Sequence, residues 1–312
     1  MKKLIGILKN YLTTRIPVGS IVLSFLLAAL ATSLQYTLRL KQAWLSDATE
    51  PYFLLHAMLF YGIPLIVFLA IWGLMQQGRL KFSPAFLILL FLAVFAFALR
   101  IGFKEHSTWV YHTFENWDYG IRLTNTIILG PIMCLLPIFW WFFVDRKSEK
   151  RLYGLSLQGV SWKAYFLLLL MMIPLIAMAS TQKDFIQYYP KVARLFSEEF
   201  PMNLKQAGIY ELFYGIDFVY IEFFFRGFLV IAFSRFLGPA SIPFAALMYC
   251  TIHFGKPLGE TISSWFGGMI LGILVYETRS IAGGVVVHMG IAWLMELGGS
   301  IGRLIDGSTW RH

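Results

Sequence analysis

Apolar runs long enough to cross a membrane recur from one end of this sequence to the other, and they leave one broad class of fold open. The first four cover roughly residues 16–38, 52–75, 82–103 and 123–144. Each has about the 17 to 25 residues that a helix needs to span a bilayer. A fifth covers about 162–179, a sixth about 204–236, and three shorter ones about 241–254, 262–276 and 281–297. The run at 241–254 is too short to cross alone, so eight or nine transmembrane helices are expected. With 58% hydrophobic and only 14% charged residues, the 312-residue chain is too poor in charge for an ordinary soluble domain. The expected fold is all-α, a polytopic integral membrane protein whose helices surround a polar intramembrane cavity. Residues 1–150 supply about four of the spans, and residues 151–312 form the membrane core that carries the polar residues. No repeat, low-complexity tract or soluble domain interrupts them.

The charge balance places the chain in the bilayer. Its 26 Lys and Arg against 17 Asp and Glu give a formal charge of +9. These charges are scattered over short loops, which suits contact with anionic lipid and not a nucleic-acid face. The densest basic clusters are the amphipathic lead-in with Lys2, Lys3, Lys9 and Arg15, and the segment Arg146-Lys-Ser-Glu-Lys-Arg151. The positive-inside rule puts both in the cytoplasm, and the four spans between them agree. The most polar connection, residues 184–206, is read as an interfacial cap or a loop. Cys134 and Cys250 each sit in an apolar run and are expected to be small buried hydrophobes without a disulfide.

Polar residues concentrate in the last third. The sixth run contains Glu222 and Arg226, four apart and so on one helical face. Charges in hydrocarbon cost several kcal/mol unless they face a protein interior or a wet cavity. Tyr249 and His253 share a face in the same way on the next run, and His288 follows in the small-residue stretch Gly283-Gly-Val-Val-Val-His-Met-Gly290. One carboxylate and two imidazoles can activate water by general-base chemistry, or by holding a zinc ion through Glu222, His253 and His288. Glu222 and Arg226 also fit an internal ion pair that fixes packing. His56 is read as a packing residue, and His106 and His112, near Glu115 and Asp118, are given no chemistry. Asp217 is expected to face away from Glu222.

Three segments together resemble the CAAX prenyl endopeptidase and bacteriocin-processing (CPBP, Abi-like) family. They are Glu-Phe-Phe-Phe-Arg-Gly at 222–227, Tyr-Cys-Thr-Ile-His at 249–253, and Phe266-Gly-Gly-Met-Ile-Leu-Gly-Ile-Leu-Val-Tyr-Glu-Thr-Arg-Ser280 followed by His288. The resemblance is expected to extend over roughly 162–297. The family pattern is a Glu-Glu pair, three residues and Arg; an aromatic residue, three residues and His; then His, three residues and Asn or Asp. Glu222 matches the second Glu, Arg226 the Arg, Tyr249 the aromatic position, His253 the first His and His288 the second. Ile221 stands where the first Glu belongs, and Ala292 where the Asn belongs.

The resemblance implies an intramembrane endopeptidase of a bacterial inner membrane that cuts a peptide or a membrane-protein tail. Water held between Glu222 and His253 would attack a scissile carbonyl entering from the lateral or cytoplasmic side. His288 would donate to the oxyanion, and Arg226 would keep Glu222 ionised. Two other classes stand beside it: a member without catalysis that keeps the cavity as a binding scaffold, and an ion-coupled transporter in which the same groups relay protons. Two matching halves with broken spans would mark a transporter, and none is visible.

Overall fold

In hydrocarbon a chain must satisfy its own backbone hydrogen bonds, which favours helix over every open alternative. Every regular element among the described residues is helical. The computed structural model describes residues 2–45, 52–77 and 82–307, so the first residue of the expected lead-in and the last five of the expected core lie outside the described residues. The chain opens with α1 (Lys2–Asn10) and runs through α2 (Val18–Leu38), α3 (Leu40–Leu45), α4 (Tyr52–Met75), α5 (Pro84–Gly102) and α6 (His106–Thr113). Next come α7 (Trp117–Trp140), α8 (Trp162–Ala179), α9 (Lys183–Tyr188) and α10 (Leu204–Glu222). From Phe223 to Ala232 the same helix is wound as a π-helix, which leads through α11 (Phe233–Leu237) to α12 (Ser241–Thr251), α13 (Leu258–Thr278) and α14 (Ala282–Asp306).

Among the described residues, seven helices are long and apolar enough to cross a membrane. The stretch from Leu204 to Leu237 and the 11-residue α12 are not among them. The expected eight or nine crossings are reached by adding one or both of these, and they carry most of the polar motif residues. Charges thin the apolarity of the first, and the second is simply short.

The described residues pack as two units that interleave along the chain. The first unit comprises Met1–Gly102, Ile132–Val160 and Glu222–Gly284. In it α2 turns a stripe of Ser20, Ser24, Ala28, Thr32 and Gln35 inward, and such small residues let helices approach closely. Ser24 donates to the Pro243 carbonyl at 2.7 Å and accepts from Trp265 Nε1 at 2.9 Å, which ties α2 to α12 and α13. Aromatic rings fill the space between: Phe68 on Phe244, Phe86 on Phe233, and Phe97 on Phe225. Cys134 and Cys250 are buried, as their apolar surroundings predict.

Both basic clusters of this unit reach the C-terminal end of α13. The Tyr11 hydroxyl donates to Glu277 at 2.6 Å, and Arg279 pairs with Glu149 at 3.3 Å. The 21 residues of α13 put its other end about 30 Å away.

The second unit comprises Phe103–Pro131, Ser161–Ile221 and Val285–His312. The connection after α8 is not a bare loop. Leu195 and Phe196 are buried with Tyr119, Leu123 and Tyr210. Glu296 accepts the main-chain N–H groups of Lys191 and Val192 at 3.0 and 3.1 Å, which anchors the segment.

Candidate active site

Glu222 is the last α-helical residue before the π-wound segment, whose ten residues are all buried. π-turns are rare and often accompany functional sites. Here the local packing is tight: a Cβ on Gly227 would lie 2.5 Å from the Tyr153 carbonyl oxygen, so only glycine fits.

Glu222 and Arg226 are buried to 0% and 2% exposure and form an ion pair at 3.2 Å. The guanidinium lies 3.8 Å from the centroid of the Tyr249 ring, a close cation–π contact in a water-poor setting. The remaining Glu222 oxygen faces the main chain of Gly284, where a Cβ would come within 2.5 Å of it. Gly284 sits in the first turn of α14, and a helix N-terminus favours a carboxylate. Both the packing and the chemical readings of the Glu222–Arg226 pair thus start from one buried arrangement.

Tyr249 links this pair to His253, their rings being 4.6 Å apart. His253 follows the end of α12, and its Nδ1 lies 2.8 Å from the Tyr249 carbonyl oxygen. Its Nε2 lies 3.9 Å from Glu260 Oε1, and Lys256 Nζ donates to that same oxygen at 2.6 Å. Thr261 Oγ1 donates to the His253 carbonyl at 2.8 Å, and the Tyr36 hydroxyl reaches both Thr261 and the Lys256 carbonyl. Lys41 donates to the Phe254 carbonyl at 3.0 Å. Burial, and then the neighbouring Lys256, lower its pKa.

The motif residues are therefore placed as follows. Glu222, Arg226, Tyr249 and His253 belong to the first unit, and His288, Ile221 and Ala292 to the second. The His288 ring packs 4.3 Å from that of Phe218. Ile221 and Ala292 are buried apolar side chains at 8% and 3% exposure. His56 lies 6.5 Å from the Trp44 ring, and His106 Nε2 is 2.7 Å from Asn125 Oδ1. Among the described residues no three His, Cys, Asp or Glu side chains are grouped as a metal ion requires. Of the expected set, Glu222 and His253 lie in the first unit and His288 in the second.

Glu260 stands beside His253 although the sequence motifs do not include it. Its signals were present: an acid in the first turn after Pro257 marks a helix start, and Lys256 lies four residues before it, at ion-pair spacing.

Among families of known proteins, the type II CAAX prenyl endopeptidase Rce1-like family matches residues 208–294. The match is shorter than the expected 162–297 but holds all five motif residues, from Glu222 to His288. No curated protein and no solved structure gives a significant match to the chain. Residues 208–294, from α10 through the π-wound segment to α14, are thus similar to the Rce1-like domain of the type II CAAX prenyl endopeptidases.

Proposed function

We propose that this membrane protein is an intramembrane endopeptidase that cleaves a peptide or a membrane-protein tail. The observation that carries this reading is the Rce1-like match over a stretch in which Glu222, Arg226, Tyr249 and His253 are packed together and buried. In the mechanism, water activated by His253 and Glu222 attacks the scissile carbonyl. Arg226 keeps Glu222 ionised through the 3.2 Å pair. His288 donates to the developing oxyanion. Ala292 leaves that oxyanion one donor short, which costs about 100- to 1,000-fold in turnover.

The route of entry follows from where His253 lies. The His253 turn lies at the end of α13 away from both basic clusters, about 30 Å from the Arg279 end. With those clusters in the cytoplasm, the substrate reaches His253 laterally or from the opposite face. Membrane lipid is the surrounding partner, and a bacterial inner membrane is the proposed location.

A second reading keeps the cavity and loses the cutting. Ile221 and Ala292 favour it, since neither can accept or donate a hydrogen bond through its side chain. The deciding experiment is cleavage of a diverse peptide library by the purified protein in lipid nanodiscs, with and without zinc, comparing wild type with Glu222→Gln. Cleavage by wild type alone supports the peptidase. Tight peptide binding without cleavage by either protein supports the scaffold.

A further inference from the structure

Two lysines stand close together where α3 meets the turn between α12 and α13, and one acid serves them. Lys256 donates to Glu260 at 2.6 Å. Lys41 donates to the Phe254 carbonyl at 3.0 Å, and among the described residues no carboxylate pairs with it. We propose that Lys41 and Lys256 hold the phosphate of an anionic phospholipid, whose headgroup completes the contact between α3 and this turn. The site goes beyond the peptidase reading and does not depend on it.

The depth of the two lysines carries the argument. α2 and α13 are both long and apolar enough to span a membrane. The Tyr36 hydroxyl, near the end of α2, reaches Thr261 Oγ1 at 2.8 Å and the Lys256 carbonyl, so the end of α2 and the start of α13 lie side by side. Lys41 follows Leu38, the last residue of α2, and Lys256 precedes Leu258, the first of α13. Both cations therefore stand just outside the hydrocarbon, at the level of lipid headgroups. Tyr36 and Trp44, at 38% and 39% exposure, mark the same level, where such rings collect.

Lys41 is also held in place. Arg39 adopts a left-handed conformation, φ 51°, which ends α2 and turns the chain into α3. Gln35, buried to 3% exposure, accepts the Lys41 main-chain N–H at 2.7 Å and donates to Gln42 Oε1 at 3.0 Å. An ammonium has three N–H donors, and the Phe254 carbonyl takes one of those on Lys41. Burial weighs against its charge, and so does Lys256. A phosphodiester brings one negative charge and two non-bridging oxygens, which offsets both effects and can accept from both lysines.

The test uses the full chain, purified and delipidated in a neutral detergent. It is titrated with phosphatidylglycerol, phosphatidylcholine and inorganic phosphate, and bound lipid is counted by native mass spectrometry. The first phosphatidylglycerol should bind more tightly than phosphatidylcholine, whose choline cation opposes the lysines. Lys41→Gln should weaken it by about tenfold or more, the worth of one hydrogen bond to a charged group. Lys41→Arg should retain it, which separates a lost charge from a disturbed helix. Lys147→Gln, in the basic cluster that reaches the other end of α13, should leave it unchanged. Equal weakening by Lys41→Gln and Lys147→Gln, or none by either, overturns the proposal. Displacement of the lipid by inorganic phosphate overturns the headgroup assignment in favour of a free anion. Peptides whose binding needs both Lys41 and a free terminal carboxylate, with no such need for phosphatidylglycerol, overturn it in favour of a peptide end. Should Lys41→Gln fail to fold, Lys256→Gln must weaken the same lipid by at least as much, and an unchanged affinity there overturns the site.

Discussion

The carboxylate of Glu222 rests on the main chain of Gly284, so closely that a Cβ at that position would stand 2.5 Å from Oε2. The charge is held by the absence of a side chain as much as by the presence of Arg226. Gly284→Ala must therefore displace the carboxylate or the first turn of α14. It should destabilise the protein by about 1–3 kcal/mol, the usual cost of overpacking. Gly267→Ala, with nothing within 4 Å of the added carbon, is the matched control. Equal thermal unfolding temperatures for the two variants would refute the contact.

Arg226 and Glu222 should behave as one unit. Removing either partner leaves a buried charge uncompensated, at about 3–5 kcal/mol, whereas replacing both with apolar or neutral groups is much less damaging. The unfolding temperature of Glu222→Gln/Arg226→Met should thus exceed that of Arg226→Met alone. A double variant no better than the single one would show that the pair does not hold the helix.

His253→Ala and His288→Ala should each lose cleavage and keep the wild-type unfolding temperature to within a few degrees. For His288, the loss of an oxyanion donor corresponds to about 100- to 1,000-fold in kcat. Normal cleavage by either variant would remove that residue from the site.

Ala292→Asn restores the donor of the family pattern one turn after His288. The expected result is an increase in kcat of up to about 100-fold with little change in KM, because the added group acts on the transition state. An unchanged kcat in a folded variant would show that the oxyanion is satisfied elsewhere.

The sequence revealed most of what depends on hydropathy alone. The run at 52–75 coincides with α4 and that at 162–179 with α8, because polar residues or a helix breaker close each run. α7 begins at Trp117, ahead of the apolar run at 123, because Asp118 and Arg122 interrupt the hydropathy of its first turns but not the helix. The π winding after Glu222 left no mark, because its Phe-rich composition would suit an α-helix equally well. Glu222, Arg226, Tyr249 and His253 were found because spacing within one helix is readable from numbering. Glu260 escaped because it meets His253 across a turn, where numbering gives no face.

One further consequence follows from the last turn of α13. Tyr11 from the amino-terminal lead-in and Glu149 from the loop after α7 are both tied there, to Glu277 and Arg279. The last turn of α13 thus gathers two segments that lie far apart in the sequence, so that one short stretch of helix sets the position of both.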